Sequence, residues 1–233
     1  MAKQKDQNQE SGFEIIEESL TKSEQFIERN KKILSWIITG ILGIALLYMA
    51  VKKYYFVPLE EEAQSQIFMA VRYFEKDSFK LALDGDGNYL GFNDIIDEYS
   101  WTKAGNLAKY YAGISYLKLG NYEEAISLLN DFESDDIMIS VMALGAIGDA
   151  YAELGENQEA ASYYEKAADY KENEFTTPMF LFKAGLMNEL MGNNDKALEL
   201  YETIKKEYPR STESRTIKKY ISRVKVKLGK DKI

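Results

Sequence analysis

Asp84, Asp86 and Asn88 stand at alternate positions, the spacing at which carboxylate and amide oxygens ligate calcium in loop sites. The pattern then stops. The position after Asn88 is Tyr89 where such a loop turns on glycine, and the twelfth residue from Asp84 is Ile95 rather than a bidentate Glu. A Gly/Asp/Asn turn needing positive φ accounts for the same residues, so no metal is expected. Two carboxylate sets are the other candidates for chemistry: Glu98 with Asp94 or Asp97, and Asp149 with Glu153, as acid–base pairs of the kind glycosidases use. Acidic residues at helical spacing on a surface are the simpler explanation, since repeats this acidic supply many such pairs by chance. The chain contains no His and no Cys, which removes imidazole bases, Ser-His-Asp and Cys-His arrangements, thiolate metal sites and disulfides. The composition therefore predicts a protein without enzymatic activity or a cofactor.

What would have to position any site is a chain of 233 residues, 45 % hydrophobic and 29 % charged. Residues 1–12 are polar and rich in Gln and Lys, which predicts partial disorder in an N-terminal segment, 1–32. Phe13, Ile16, Leu20 and Ile27 then recur at helical spacing among acidic residues. From Ile33 to Val51 there is no charged residue, and roughly 20 apolar residues suffice for a helix to cross a bilayer. Arg29, Lys31 and Lys32 flank this run on one side and Lys52 and Lys53 on the other, with Trp36, Tyr48, Tyr54 and Tyr55 near its ends. A transmembrane helix is thus predicted over residues 33–53. Lys22, Arg29, Lys31 and Lys32 before the run outnumber Lys52 and Lys53 after it, favouring a cytoplasmic N-terminus. Ser35, Thr39 and Gly43 lie four residues apart, a spacing that permits two such helices to pair as a homodimer. Val57-Pro58-Leu59 reads as a break, followed by an acidic first turn and a helix with Ala63, Ile67, Ala70, Val71 and Phe74 on one face.

The remaining chain, 54–233, repeats itself. Gly113, Gly148 and Gly185 are 35 and 37 residues apart. Tyr116 and Tyr151 follow one turn after the first two, with Asn188 at that place in the third copy. Next come the turn glycines Gly120, Gly155 and Gly192, the small residues Ala125, Ala160 and Ala197, and then Leu129, Tyr164 and Tyr201. A closing proline occurs once, as Pro209. Small residues allow two helices to approach, and glycine allows the reversal between them. These residues resemble the tetratricopeptide repeat, whose period is 34 residues. The resemblance implies an all-α solenoid of helical hairpins: a degenerate first repeat over 54–105, repeats over 106–140, 141–177 and 178–212, and a capping helix over 213–233.

Charge is distributed unevenly around the net −9. Tyr54 to Ile204 holds 28 acidic and 10 basic residues, whereas Lys205 to Ile233 holds 3 acidic and 11 basic. The acidic body argues against nucleic acid as a partner. Ile217, Tyr220, Ile221, Val224 and Leu228 form one stripe of the last helix, with Lys218, Lys219, Arg223, Lys225 and Lys227 elsewhere, as expected of a solvated cap. A cytoplasmic N-terminus, one span and an external repeat domain resemble the ancillary, periplasm-facing subunit type of the bacterial Sec translocon. That resemblance implies a single-pass inner-membrane protein with a periplasmic repeat domain, acting as a protein-binding scaffold in secretion or envelope-protein folding. A scaffold for cell-wall or outer-membrane assembly is the alternative. Tyr110, Tyr111, Tyr163 and Phe182 are the aromatic residues predicted to meet a protein partner.

Overall fold

The computed structural model describes the backbone of residues 3–230 and the side chains of residues 26–230. Among these residues every regular element is helical. Two compact units are present, Met1–Pro58 and Leu59–Ile233.

The first unit is built on α1 (Lys3–Val51). Its backbone is helical from Lys3, where the sequence predicts disorder, and the Gln, Lys and Glu of that stretch are good helix formers. The pattern expected at Phe13, Ile16 and Leu20 lies outside the described side chains. In the apolar run Trp36, Ile41 and Leu47 are 78 %, 61 % and 66 % exposed, and this stretch is long and apolar enough to cross a bilayer. The break expected at Val57-Pro58-Leu59 is replaced by a π-helical turn, Lys52–Phe56, leading into α2 (Val57–Phe74). Proline has no N–H and its ring clashes with the carbonyl four residues back, and the wider π turn provides room there.

The second unit is a solenoid of helical hairpins. α2 presents buried Ala63, Ile67 and Ala70. Two short helices follow, α3 (Phe79–Asp84) and α4 (Phe92–Tyr99). Three hairpins come next: α5 (Lys103–Leu119) with α6 (Tyr122–Asn130), α7 (Ile137–Glu153) with α8 (Asn157–Asp169), and α9 (Thr176–Leu190) with α10 (Asn194–Glu207). A 3-10 turn, Glu213–Arg215, leads into α11 (Ile217–Lys227). Each second helix packs on the first helix of the following hairpin, and α5, α7 and α9 pack side by side.

Capping residues set where the helices start. Thr102 Oγ1 accepts the Gly105 N–H at 2.9 Å to open α5, and Asp136 Oδ1 accepts from Met138 and Ile139 at 2.8 and 3.1 Å to open α7. The Glu60 carboxylate on α2 accepts the Lys103 N–H at 2.6 Å, placing an anion at the positive end of α5. Three apolar clusters run along the solenoid. One joins α2–α5 around Phe92, Ile95 and Ala108, a second joins α6 and α7 around Leu129 and Ile147, and the third joins α7–α11 around Phe180, Tyr201, Ile204 and Val224. Burying each large member stabilises the fold by about 1.5–3 kcal/mol.

Candidate protein-interaction face

The three hairpin reversals share one backbone device. Gly120, Gly155 and Gly192 have φ of 85°, 79° and 80°. The next residue's N–H returns to the carbonyl of Tyr116, Tyr151 or Asn188, at 2.9, 2.9 and 2.8 Å. These are Schellman closures, in which the left-handed residue is glycine because a Cβ would be strained there. Asn188 departs from the tyrosine of the other copies without altering the turn, since its contribution to the closure is a backbone carbonyl. Its side chain is buried and donates to Ala184 O at 3.0 Å.

Above each turn the two helices interlock. A Cβ at Gly113 would lie 2.6 Å from Leu129 Cγ, at Gly148 2.7 Å from Tyr164, and at Gly185 2.3 Å from Tyr201 Cε1. The large side chain of the second helix thus sits directly on the missing side chain of the first, and the contact lies inside a hairpin rather than between hairpins. Ala125, Ala160 and Ala197 are fully buried. Pro209 follows Tyr208, the residue that caps the C-terminus of α10.

The four aromatics predicted to meet a partner are all half-buried and bridge neighbouring helices. Tyr111 stacks on Phe92 at 5.5 Å and 10°, and Tyr110 packs on Phe132 at 5.3 Å. Tyr163 stacks on Tyr151 at 5.4 Å and donates to Asn130 Oδ1 at 3.2 Å, while Phe182 meets Tyr220 edge-on at 4.8 Å.

Of the carboxylates singled out in the sequence, Asp86, Asp94, Asp149 and Glu153 have structural partners. Asp94 Oδ2 accepts the Gly91 N–H at 3.4 Å at the start of α4. Asp149 accepts from the Tyr164 hydroxyl at 2.7 Å and Lys183 Nζ at 2.6 Å, joining α7, α8 and α9. Burial, with this bond, pushes the Tyr164 hydroxyl far above the ordinary tyrosine range. Glu153 accepts from the Tyr122 hydroxyl at 3.5 Å. Asp86 accepts from Tyr73 Oη at 2.7 Å and from the Asn88 and Tyr89 N–H groups at 2.9 Å each, which makes 86–89 an Asx-type turn that follows Gly85 and includes Gly87, both at positive φ. The Tyr73 bond, then the two backbone bonds, hold its carboxyl below the usual range. Among the described residues no group of three or more acidic side chains is arranged to hold a metal ion.

A buried acid that the sequence did not reveal is Glu189. Its side chain is 6 % exposed and receives Arg223 at 2.6 Å and Lys227 at 2.8 Å, with the Tyr201 hydroxyl at 3.3 Å. Burial raises its carboxyl, but the two cations outweigh that and the net displacement is downward. Beside it, Leu186, Met187 and Leu190 with Arg223 and Lys227 line a groove of about 430 Å³.

The apolar residues most open to a partner lie in the loops before the first helices. Trp101, just before α5, is 86 % exposed, and Phe175, just before α9, is 80 % exposed. Both fall outside the repeating apolar positions. A large aromatic residue in a polar connecting segment was the available signal.

A family model described as "T7SS, ESX-1 secretion system protein EccA1, N-terminal domain" matches residues 59–227, nearly the whole solenoid unit. No curated protein matches the chain.

Proposed function

Because the chain belongs to the family of the EccA1 N-terminal domain, we propose that it is a non-enzymatic scaffold that holds protein partners for a secretion apparatus. The carrying observation is the family match over residues 59–227, coextensive with a solenoid whose stacked hairpins form extended faces. The hairpins are of tetratricopeptide type. In support of that reading, each copy seats a large residue of the second helix on a glycine of the first and closes its turn on a second glycine. Residues 33–53 anchor the protein in an inner membrane as a single pass, with the N-terminus cytoplasmic and the repeat unit periplasmic. Support comes from an apolar helix whose large side chains stand exposed and whose flanking basic residues favour that orientation. Ser35, Thr39 and Gly43 form a pairing face for a second copy, and a Cβ at Gly43 would meet nothing within 4 Å.

Crosslinking in the native membrane, combined with added protease, tests the reading. The expected result is capture of secretion-apparatus components and cleavage of the repeat unit only from the periplasmic side. Recovery of wall synthases or outer-membrane assembly factors alone would overturn the secretion role. Cleavage only from the cytoplasmic side would overturn the topology. Gly43→Leu should abolish self-crosslinking.

A further inference from the structure

The loop between α8 and α9 is tightly hydrogen-bonded, yet it holds an aromatic ring in water. Asn173 Oδ1 accepts the N–H groups of Phe175 and Thr176 at 2.9 and 2.8 Å, and its amide donates to Thr176 Oγ1 at 2.7 Å and Lys171 O at 3.0 Å. Thr177 Oγ1 accepts the Asn173 N–H at 3.0 Å and donates to Ala168 O at 3.1 Å. The Phe175 ring at the tip of this frame borders a groove of about 680 Å³ whose other apolar walls are Met179 and Pro209. Glu174, Glu207 and Glu213 surround those walls, and Arg210 is the cation among the lining residues. Lys206 meets Glu207 at 3.6 Å, whereas the ion pairs formed among the described residues involve neither Glu174 nor Glu213. The neighbouring Tyr208 hydroxyl is pushed up by burial and then by Glu172 and Glu207.

We propose that this groove docks a basic peptide segment of a partner protein, with a large apolar side chain against Phe175, Met179 and Pro209 and a Lys or Arg against Glu174 and Glu213. The proposal rests on the scaffold reading and names the partner chemistry. A ring on a backbone held before binding spares the partner the cost of ordering the loop, a condition that favours an aromatic residue as an interface anchor. The carboxylates select the occupant. They attract ammonium and guanidinium groups through charge-assisted hydrogen bonds and repel the phosphates of anionic lipid or nucleic acid.

The test uses the full-length chain in detergent and a short labelled peptide alternating Lys with Leu and Phe, with a Glu-for-Lys peptide as counterpart, read by fluorescence anisotropy. The Lys peptide is expected to bind, weakening as salt rises, and the Glu peptide to bind at least tenfold more weakly. Phe175→Ala should weaken binding about tenfold. Glu174→Gln with Glu213→Gln should weaken it roughly three- to tenfold and flatten the salt dependence. Glu123→Gln with Glu124→Gln, two exposed acids on α6, should bind as the parent does. Unchanged binding in the Phe175 variant or equal binding of both peptides would overturn the site. If the site fails while native crosslinking still captures secretion components, the scaffold reading stands. If crosslinking captures none and the Phe175 dependence holds, the groove stands without it.

Discussion

Glycine and the side chain seated on it act as one unit at Gly113, Gly148 and Gly185, and a methyl group at these positions has no room. In Gly185→Ala the gain in helix propensity, up to about 1 kcal/mol, is outweighed by collision with the Tyr201 ring, so a net loss of about 1–3 kcal/mol is expected. Gly192→Ala meets nothing within 4 Å and should lose only the cost of a left-handed alanine, about 1–2 kcal/mol. Urea denaturation of the two variants separates the mechanisms, because Tyr201→Ala should cost less in the Gly185→Ala background than in the parent, and as much in the Gly192→Ala background as in the parent. Glu189 gives a pH signature. Its folded carboxyl titrates below the ordinary value, so its contribution is present above the unfolded pKa and is lost as pH falls through the lower, folded one. Glu189→Gln should cost about 1–3 kcal/mol near pH 7, discounted for the half-exposed Arg223 and Lys227. Its urea midpoint should converge on that of the parent in acid. The glycines were legible in the sequence because turns and close approaches accept few other residues. The role of Glu189 was not, since its partners are 34 and 38 residues away.

At the scale of elements, α11 shows how a pattern can be read correctly while its charges are not. Its apolar stripe buries Ile217, Ile221 and Val224. Its cations are largely engaged by the preceding hairpin: Arg223 and Lys227 by Glu189, and Lys225 by Glu202 at 2.8 Å. The basic end therefore answers the acidic body within the same solenoid. Ending the chain at Pro209 removes about 5–9 kcal/mol of apolar burial as an upper estimate, comparable to the stability of a whole domain. The truncated protein should bind a hydrophobic dye and aggregate on size exclusion. Lys218→Gln with Lys219→Gln, exposed on the same helix, should leave both readouts unchanged. Between α3 and α4, Asp86, the middle one of the three residues spaced like ligands, spends its carboxylate on the Asn88 and Tyr89 N–H groups and on Tyr73, 13 residues upstream.

For the molecule as a whole, the solenoid stacks hairpin on hairpin, so damage should remain near its origin. Phe180 is buried beneath Gly145 of the preceding hairpin, where a Cβ would lie 2.1 Å from its ring. Phe180→Ala should cost about 3–5 kcal/mol. Hydrogen exchange should quicken in α7–α10 while α2–α4 keep the parent's protection, and uniform loss along the chain would contradict nearest-neighbour coupling. The sequence by itself determined the helical class, the places where the chain reverses and the apolar run of Ile33–Val51, because period, glycine and hydropathy are local properties carried by the residues themselves. Which aromatics are exposed was decided by the tertiary structure. Tyr110, Tyr111, Tyr163 and Phe182 are half-buried against rings or helices distant in sequence, whereas Phe175 stands in water on a loop fixed by Asn173. Burial depends on what the fold brings alongside a residue, and no spacing along one chain encodes that directly.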